Sequence, residues 1–165
     1  FLENCEFILN STAPNVRLHF MTTINALSAP HFLSFLKLIK EMRVKHRITS
    51  HNFRVRTFFN YLRWPPFFSL AMLPDDLKTK YGQEWIDFVE SHQISDSLSA
   101  NQFFYAEEVE QIKRLVDYMH SAKPVDLDFK NFRLYIASID KRRNLNFAKT
   151  FPELKDWMGE NYYGR

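Results

Sequence analysis

The sequence predicts an α/β chain with a small, mostly parallel sheet and a helical carboxy-terminal portion. Three observations carry this. Val16–Met21 sets Val16, Leu18 and Phe20 on one side against Arg17, His19 and Met21 on the other, the period-2 pattern of a half-buried strand. Asn52–Leu62 alternates again, with Phe53, Val55, Thr57, Phe59 and Tyr61 opposite Arg54, Arg56, Phe58 and Asn60. Between them Phe32, Phe35, Leu36, Ile39 and Met42 recur at helical spacing. The roughly 30 residues separating the two strands suit a right-handed βαβ crossover, so the strands are expected to pair in parallel.

The other elements follow in order. Leu2–Leu9 reads as the last turns of a helix, which Pro14 prevents from continuing. Thr22–Thr23–Ile24–Asn25 reads as a polar turn at the carboxyl end of the first strand, where α/β sheets bind ligands, and Ser28 caps the central helix with Pro30 in its first turn. Lys45–His51 reads as a basic loop. Trp64–Pro65–Pro66 breaks the second strand, and Phe67–Leu73 is expected to resume as a short third. Pro74–Asp75–Asp76 opens a helix whose stripe is Leu77, Tyr81, Trp85 and Phe88, weakened at Gly82. After a Ser-rich connection over His92–Ala100, a helix over Asn101–His120 turns Phe104, Val109, Ile112, Val116 and Met119 inward and ends at Lys123–Pro124. Asp126 caps the next, which buries Phe129, Phe132, Ile136 and Ile139. Thr150-x-x-Glu153 is a capping-box pattern for a final helix through Trp157 and Met158, stopped by Gly159; Glu160–Arg165 is expected to fray.

At 165 residues the chain is the size of one domain, with the sheet in residues 1–100 and a helical extension, 101–165, packed on it as one compact unit. A composition with 17 Phe argues for a packed core and leaves apolar surface for a partner. The net charge of +3 sets no strong field, which argues against a nucleic-acid partner. No apolar run approaches the roughly 20 residues that span a bilayer, so no membrane association is expected. Cys5, the only cysteine, excludes an intrachain disulfide and multi-cysteine metal sites and points to a reducing, cytoplasmic setting. Phe1–Asn4 lacks the basic start of a signal peptide, and a beginning at Phe1 in mid-helix reads as a fragment or a truncated reading frame.

Only Gly82, Gly159 and Gly164 are present, so neither a P-loop nor a GxGxxG turn can be written. His46 and His51 have the wrong spacing for one helix face, and Asp75 with Asp76 is explained by first-turn charge. Cys5 reads as a buried thiol. What remains is the polar side of the two strands. If their apolar sides turn to the helices, Arg17, His19, Arg54, Arg56 and Asn60 share the opposite face, and three arginines there suit a carboxylate or phosphate. The same residues equally suit the solvated side of a small antiparallel sheet. Lys141–Arg142–Arg143 reads as a solvated run at a helix end.

The succession VRLHFMTTINAL, RWPPFFSLAMLPDDLK and FRLYIASIDKRRNLNFAKTFPEL resembles the carboxy-terminal part of radical S-adenosylmethionine (radical SAM) proteins of the twitch-domain-containing subgroup, from about Phe7 to Trp157. Its most specific phrases run from Pro65–Pro66 to Lys78 and from Asp140 to Leu154. The resemblance implies a partial (β/α)6 barrel whose amino-terminal half binds a [4Fe–4S] cluster through CxxxCxxC and cleaves S-adenosylmethionine reductively. This chain has neither that motif nor the cysteines for an auxiliary cluster. It is therefore expected to be the later half of a βα barrel, with no cofactor of its own and no family reaction by itself; S-adenosylmethionine and the cluster belong to a complete member. The resemblance places Thr22, Thr23 and Asn25 where family members touch S-adenosylmethionine or substrate, and Arg54, Arg56 and Asn60 along the lumen. Those turn residues equally suit hydrogen bonding to local backbone. A half barrel leaves strand edges unpaired, which implies a homo-oligomer, a missing amino-terminal half or cover by the extra helices. The competing expectation is a non-catalytic module that binds an anion or nucleic acid through the sheet arginines and Lys141–Arg143.

Overall fold

A computed structural model gives the fold and describes residues 1–49, 52–95, 102–121 and 125–159. Helix α1 (Leu2–Ser11) leads to β1 (Leu18–Ile24), α2 (Ala29–Lys45), a short antiparallel ladder of β2 (Arg47–Thr49) with β3 (Asn52–Phe53), and β4 (Val55–Tyr61). β1 and β4 pair in parallel, in register from Leu18 beside Val55 to Ile24 beside Tyr61, so the α2 crossover is the one the spacing predicts. The even-numbered residues of β1 turn inward, ending at buried Ile24. Above them α2 lays down Phe32, Leu36, Ile39 and Met42, all buried. Phe32 meets Phe59 edge-on at 5.4 Å and Trp85 at 4.9 Å, which ties α2 to both the sheet and α3 (Asp75–Glu90).

Helix α4 (Ala106–Ser121) lies against α3 and along β4. Gly82 permits the α3–α4 approach, since a Cβ there would stand 3.0 Å from Val116 Cγ1. Helices α5 (Asp126–Arg143), α6 (Phe147–Thr150) and α7 (Lys155–Met158) close one end, where Phe132 stacks on Trp157 at 4.8 Å and meets Phe68 edge-on at 5.7 Å. Two residues with positive φ end helices here: Asn144 (φ 52°) after α5 and Gly159 (φ 74°) after α7. At the opposite end Glu6 of α1 accepts from Lys45 Nζ (2.7 Å) and His46 Nε2 (3.0 Å), and the lysine bond holds its carboxyl below the usual carboxylate range.

Several expectations need correction. The third strand is absent: Phe67–Leu73 runs through two 3-10 turns, Pro66–Phe68 and Leu70–Met72. Pro65 and Pro66 fix φ, and the bonds Phe68 N to Pro65 O (3.1 Å) and Ser69 N to Pro66 O (2.9 Å) curl the chain before it can extend. The basic loop contains β2, and the strand predicted as Asn52–Leu62 bends at Arg54 into β3 and β4. Helix α4 starts at Ala106, five residues later than predicted, because Phe104 bridges to Gln93 and Glu108 reaches back to Tyr105 N at 3.0 Å. The Thr150/Glu153 box is not made; Thr150 Oγ1 donates to Asn146 O at 3.0 Å at the end of α6. Asp126 is the first residue of α5, with Val125 at the cap position. Ser50, His51, Asp96–Asn101, Lys123–Pro124 and the Glu160–Arg165 tail lie outside the described residues.

The two edges of the sheet differ. On the outer edge of β4, Arg43 Nε donates to Val55 O (3.1 Å), Thr57 N donates to Glu108 Oε1 (3.2 Å) and Phe59 N donates to Gln111 Oε1 (2.7 Å). Side chains of α2 and α4 thus stand where a further strand would pair, the helix cover expected of an exposed edge. On the outer edge of β1 the backbone groups of His19, Met21 and Thr23 point away from β4, and no described strand lies there.

Candidate functional site

The face of the sheet away from α2 is built from the odd-numbered positions of β1 and the even-numbered positions of β4. Register sets His19 beside Arg56, Met21 beside Phe58 and Thr23 beside Asn60, with Arg17 one same-side step before His19. All are exposed except Arg56, which is half-buried. No described helix covers this row: Met21 is 83% exposed and Phe58 49%. The structure therefore brings together Arg17, His19, Arg56 and Asn60.

Arg54 does not join them. It sits at the bend between β3 and β4, where alternation fails and Phe53, Arg54 and Val55 are buried in succession. Its guanidinium is turned to the α1–β1 connection, donating to Leu9 O, to Val16 O (3.1 Å), to Thr12 Oγ1 (2.7 Å) and to Ala13 O (3.2 Å). With the Thr12 carbonyl at 3.5 Å, five acceptors close this segment onto the sheet.

Thr22, Thr23 and Asn25 do not converge either. Thr22 belongs to the helix-covered side of β1 and Thr23 to the open side. Asn25 Oδ1 accepts from Leu27 N (2.9 Å) and Ser28 N (3.1 Å), while Ser28 Oγ accepts from Asn25 N (3.0 Å). The amide thus shapes the turn into α2.

Sequence reasoning missed Tyr105. Arg56 Cζ lies 4.1 Å from the centre of its ring, and Arg56 Nε is buried without a hydrogen-bond partner. Arg17 is steadied by Asn52, whose Oδ1 accepts from Nη2 at 3.2 Å. None of the ion pairs among the described residues involves Arg17, His19 or Arg56. Glu108, the acid beside β4, is committed to Arg43 at 2.6 Å. A guanidinium stacked on a ring can take an oxyanion through those of its N–H groups that reach solvent.

A separate cleft of about 850 Å³ lies among Leu73, Lys78, His120, Asp126 and Trp157. Lys78 there is already paired with Asp75 at 3.1 Å. Lys141–Arg143 occupies the exposed last turn of α5. Among the described residues no group of three His, Cys, Asp or Glu could hold a metal ion, and no helix is long and apolar enough to cross a membrane.

Comparison with known proteins gives no family model that matches the chain, and no curated protein or solved structure that is similar to it.

Proposed function

We propose that the chain is the later wall of a βα barrel of the radical S-adenosylmethionine type, supplying the cofactor and substrate side of a lumen completed by other strands. The observation that carries this is the difference between the sheet's edges. β4 is sealed by Arg43, Glu108 and Gln111, as suits the last strand of a sheet, whereas no described strand pairs with the outer edge of β1. Strands from an amino-terminal half, or from a second copy of this chain, would join there. The parallel β1–α2–β4 unit and the confinement of helices to one face fit such a wall. Its open face would then line the lumen, with Arg17, His19, Arg56 and Asn60 toward the ligand.

The residues present do not fit an iron–sulfur cluster: Cys5 is the only thiol and is buried. S-adenosylmethionine asks less, an oxyanion donor for its carboxylate and hydrogen-bonding groups for the rest. Arg56, Thr23 and Asn60 can supply these.

The second reading, an anion- or nucleic-acid-binding module, is favoured by the unpaired arginines of the open face but leaves the bare β1 edge unexplained. Calorimetric titration separates them. The barrel reading expects saturable S-adenosylmethionine binding that changes little between two salt concentrations, because one carboxylate is involved. Nucleic-acid binding that falls steeply with salt, with no S-adenosylmethionine binding, would support the module instead.

A further inference from the structure

We infer that the open face is a site for a nucleoside monophosphate, with the phosphate on Arg56 and His19 and the base lying against Phe58 and Met21. This rests on reading the face as a ligand-facing wall and names a second ligand for it, one that would compete with S-adenosylmethionine for Arg56, Thr23 and Asn60. The register makes three rows across the two strands: His19 beside Arg56, Met21 beside Phe58, and Thr23 beside Asn60. Each row has a different chemistry.

The first row holds an anion. Arg56 is held over Tyr105 at 4.1 Å and enters none of the ion pairs among the described residues, and Arg17 adds charge one step behind, its own position set by Asn52. The nearby carboxylate of Glu108 is taken by Arg43, Thr57 and the backbone N–H of Tyr105, so it does not neutralise the row.

The second row is apolar and exposed, Met21 at 83% and Phe58 at 49%. An inorganic anion has no use for a phenyl ring beside its site, whereas a flat base does, and stacking on an aromatic side chain is indifferent to which base it is. Same-side residues in a strand stand about 7 Å apart. That step is comparable to the span from a 5′-phosphate to its own base. The third row offers hydrogen bonds to the base edge: Asn60 Oδ1 accepts from Tyr61 N at 2.8 Å, which leaves the amide N–H groups to donate, and the Thr23 hydroxyl lies alongside. With one anion row and one apolar row, the face is matched to a single nucleotide in preference to a strand of them.

Calorimetry with adenosine 5′-monophosphate, adenosine, inorganic phosphate and a ten-residue oligothymidylate tests this. The nucleotide should bind saturably, and adenosine and phosphate each roughly tenfold or more weakly. Arg56→Gln should weaken the nucleotide by roughly the same factor while leaving adenosine nearly unchanged, and Phe58→Ser should weaken the nucleotide but not phosphate. Arg142→Gln, on α5, should change nothing. The inference is overturned if the nucleotide binds no better than phosphate. It is also overturned if Arg56→Gln, shown to be folded by circular dichroism, binds it as the parent does. Oligothymidylate binding far tighter than the mononucleotide and falling steeply with salt would replace it with nucleic acid. Binding of S-adenosylmethionine without the nucleotide would defeat this inference alone and leave the barrel reading standing.

Discussion

Arg43→Met lowers the free energy of unfolding by about 3–5 kcal/mol, read as a fall in the urea midpoint with an unchanged slope. The side chain is fully buried, and its guanidinium binds both oxygens of Glu108 (2.6 and 2.8 Å), Val55 O (3.1 Å) and Phe103 O (2.6 Å) within a cage formed by Phe53, Phe104 and Tyr105. Methionine fills much of the volume but leaves the Glu108 carboxylate buried without its counter-charge, and leaves two carbonyls unpaired. The cost is that of an orphaned charge, so a second substitution removing it should restore part of the loss. Arg43→Met with Glu108→Leu is therefore expected to be more stable than Arg43→Met alone. If the double variant is the less stable of the two, the pair is not acting as a unit.

Arg54→Ala comes next, at about 3 kcal/mol by the same measurement. Its hydrogen bonds to Leu9, Thr12, Ala13 and Val16 are what hold the end of α1 and its connection to β1, and alanine removes all of them, including the buried one to the Leu9 carbonyl. Its signature is the opposite of that expected at Arg56. Arg54→Ala should lower stability while the folded fraction keeps its affinity for anionic ligands, and Arg56→Gln should lower affinity with little loss of stability. A folded Arg54→Ala protein with reduced affinity would return Arg54 to the ligand-facing row.

These two arginines also show what the sequence could and could not disclose. Strict alternation places Arg54 and Arg56 on one side of a strand, and it would be right for an unbroken one. The bend between β3 and β4 moves Arg54 out of the row, and nothing in the local pattern marks that bend. Arg43 lies four residues after Ile39 and seven after Leu36, at a position that helical spacing alone assigns to the buried stripe; the signal was present, and its basic residue type obscured it. Its partner Glu108 is 65 residues away in the chain, the Tyr105 ring beneath Arg56 is nearly as remote from that arginine, and pairwise placement across α4 and β4 has no local signature. The parallel crossover was legible because its length and two alternating strands fix it together. The run Phe67–Leu73 was misleading because a short buried apolar stretch carries no period that separates a strand from two tight turns.

Side chains close the sheet along β4, and no described strand pairs with the outer edge of β1. Residue-resolved amide hydrogen exchange on the chain, verified as monomeric by light scattering in the same solution, distinguishes the two edges. Exchange is expected to be slow at Thr57 and Phe59, held by Glu108 and Gln111, and at the β1 amides turned toward β4. It is expected to be fast at His19, Met21 and Thr23. Slow exchange at those three amides in the monomer would mean that the β1 edge is already satisfied within the chain and leaves no place there for further strands.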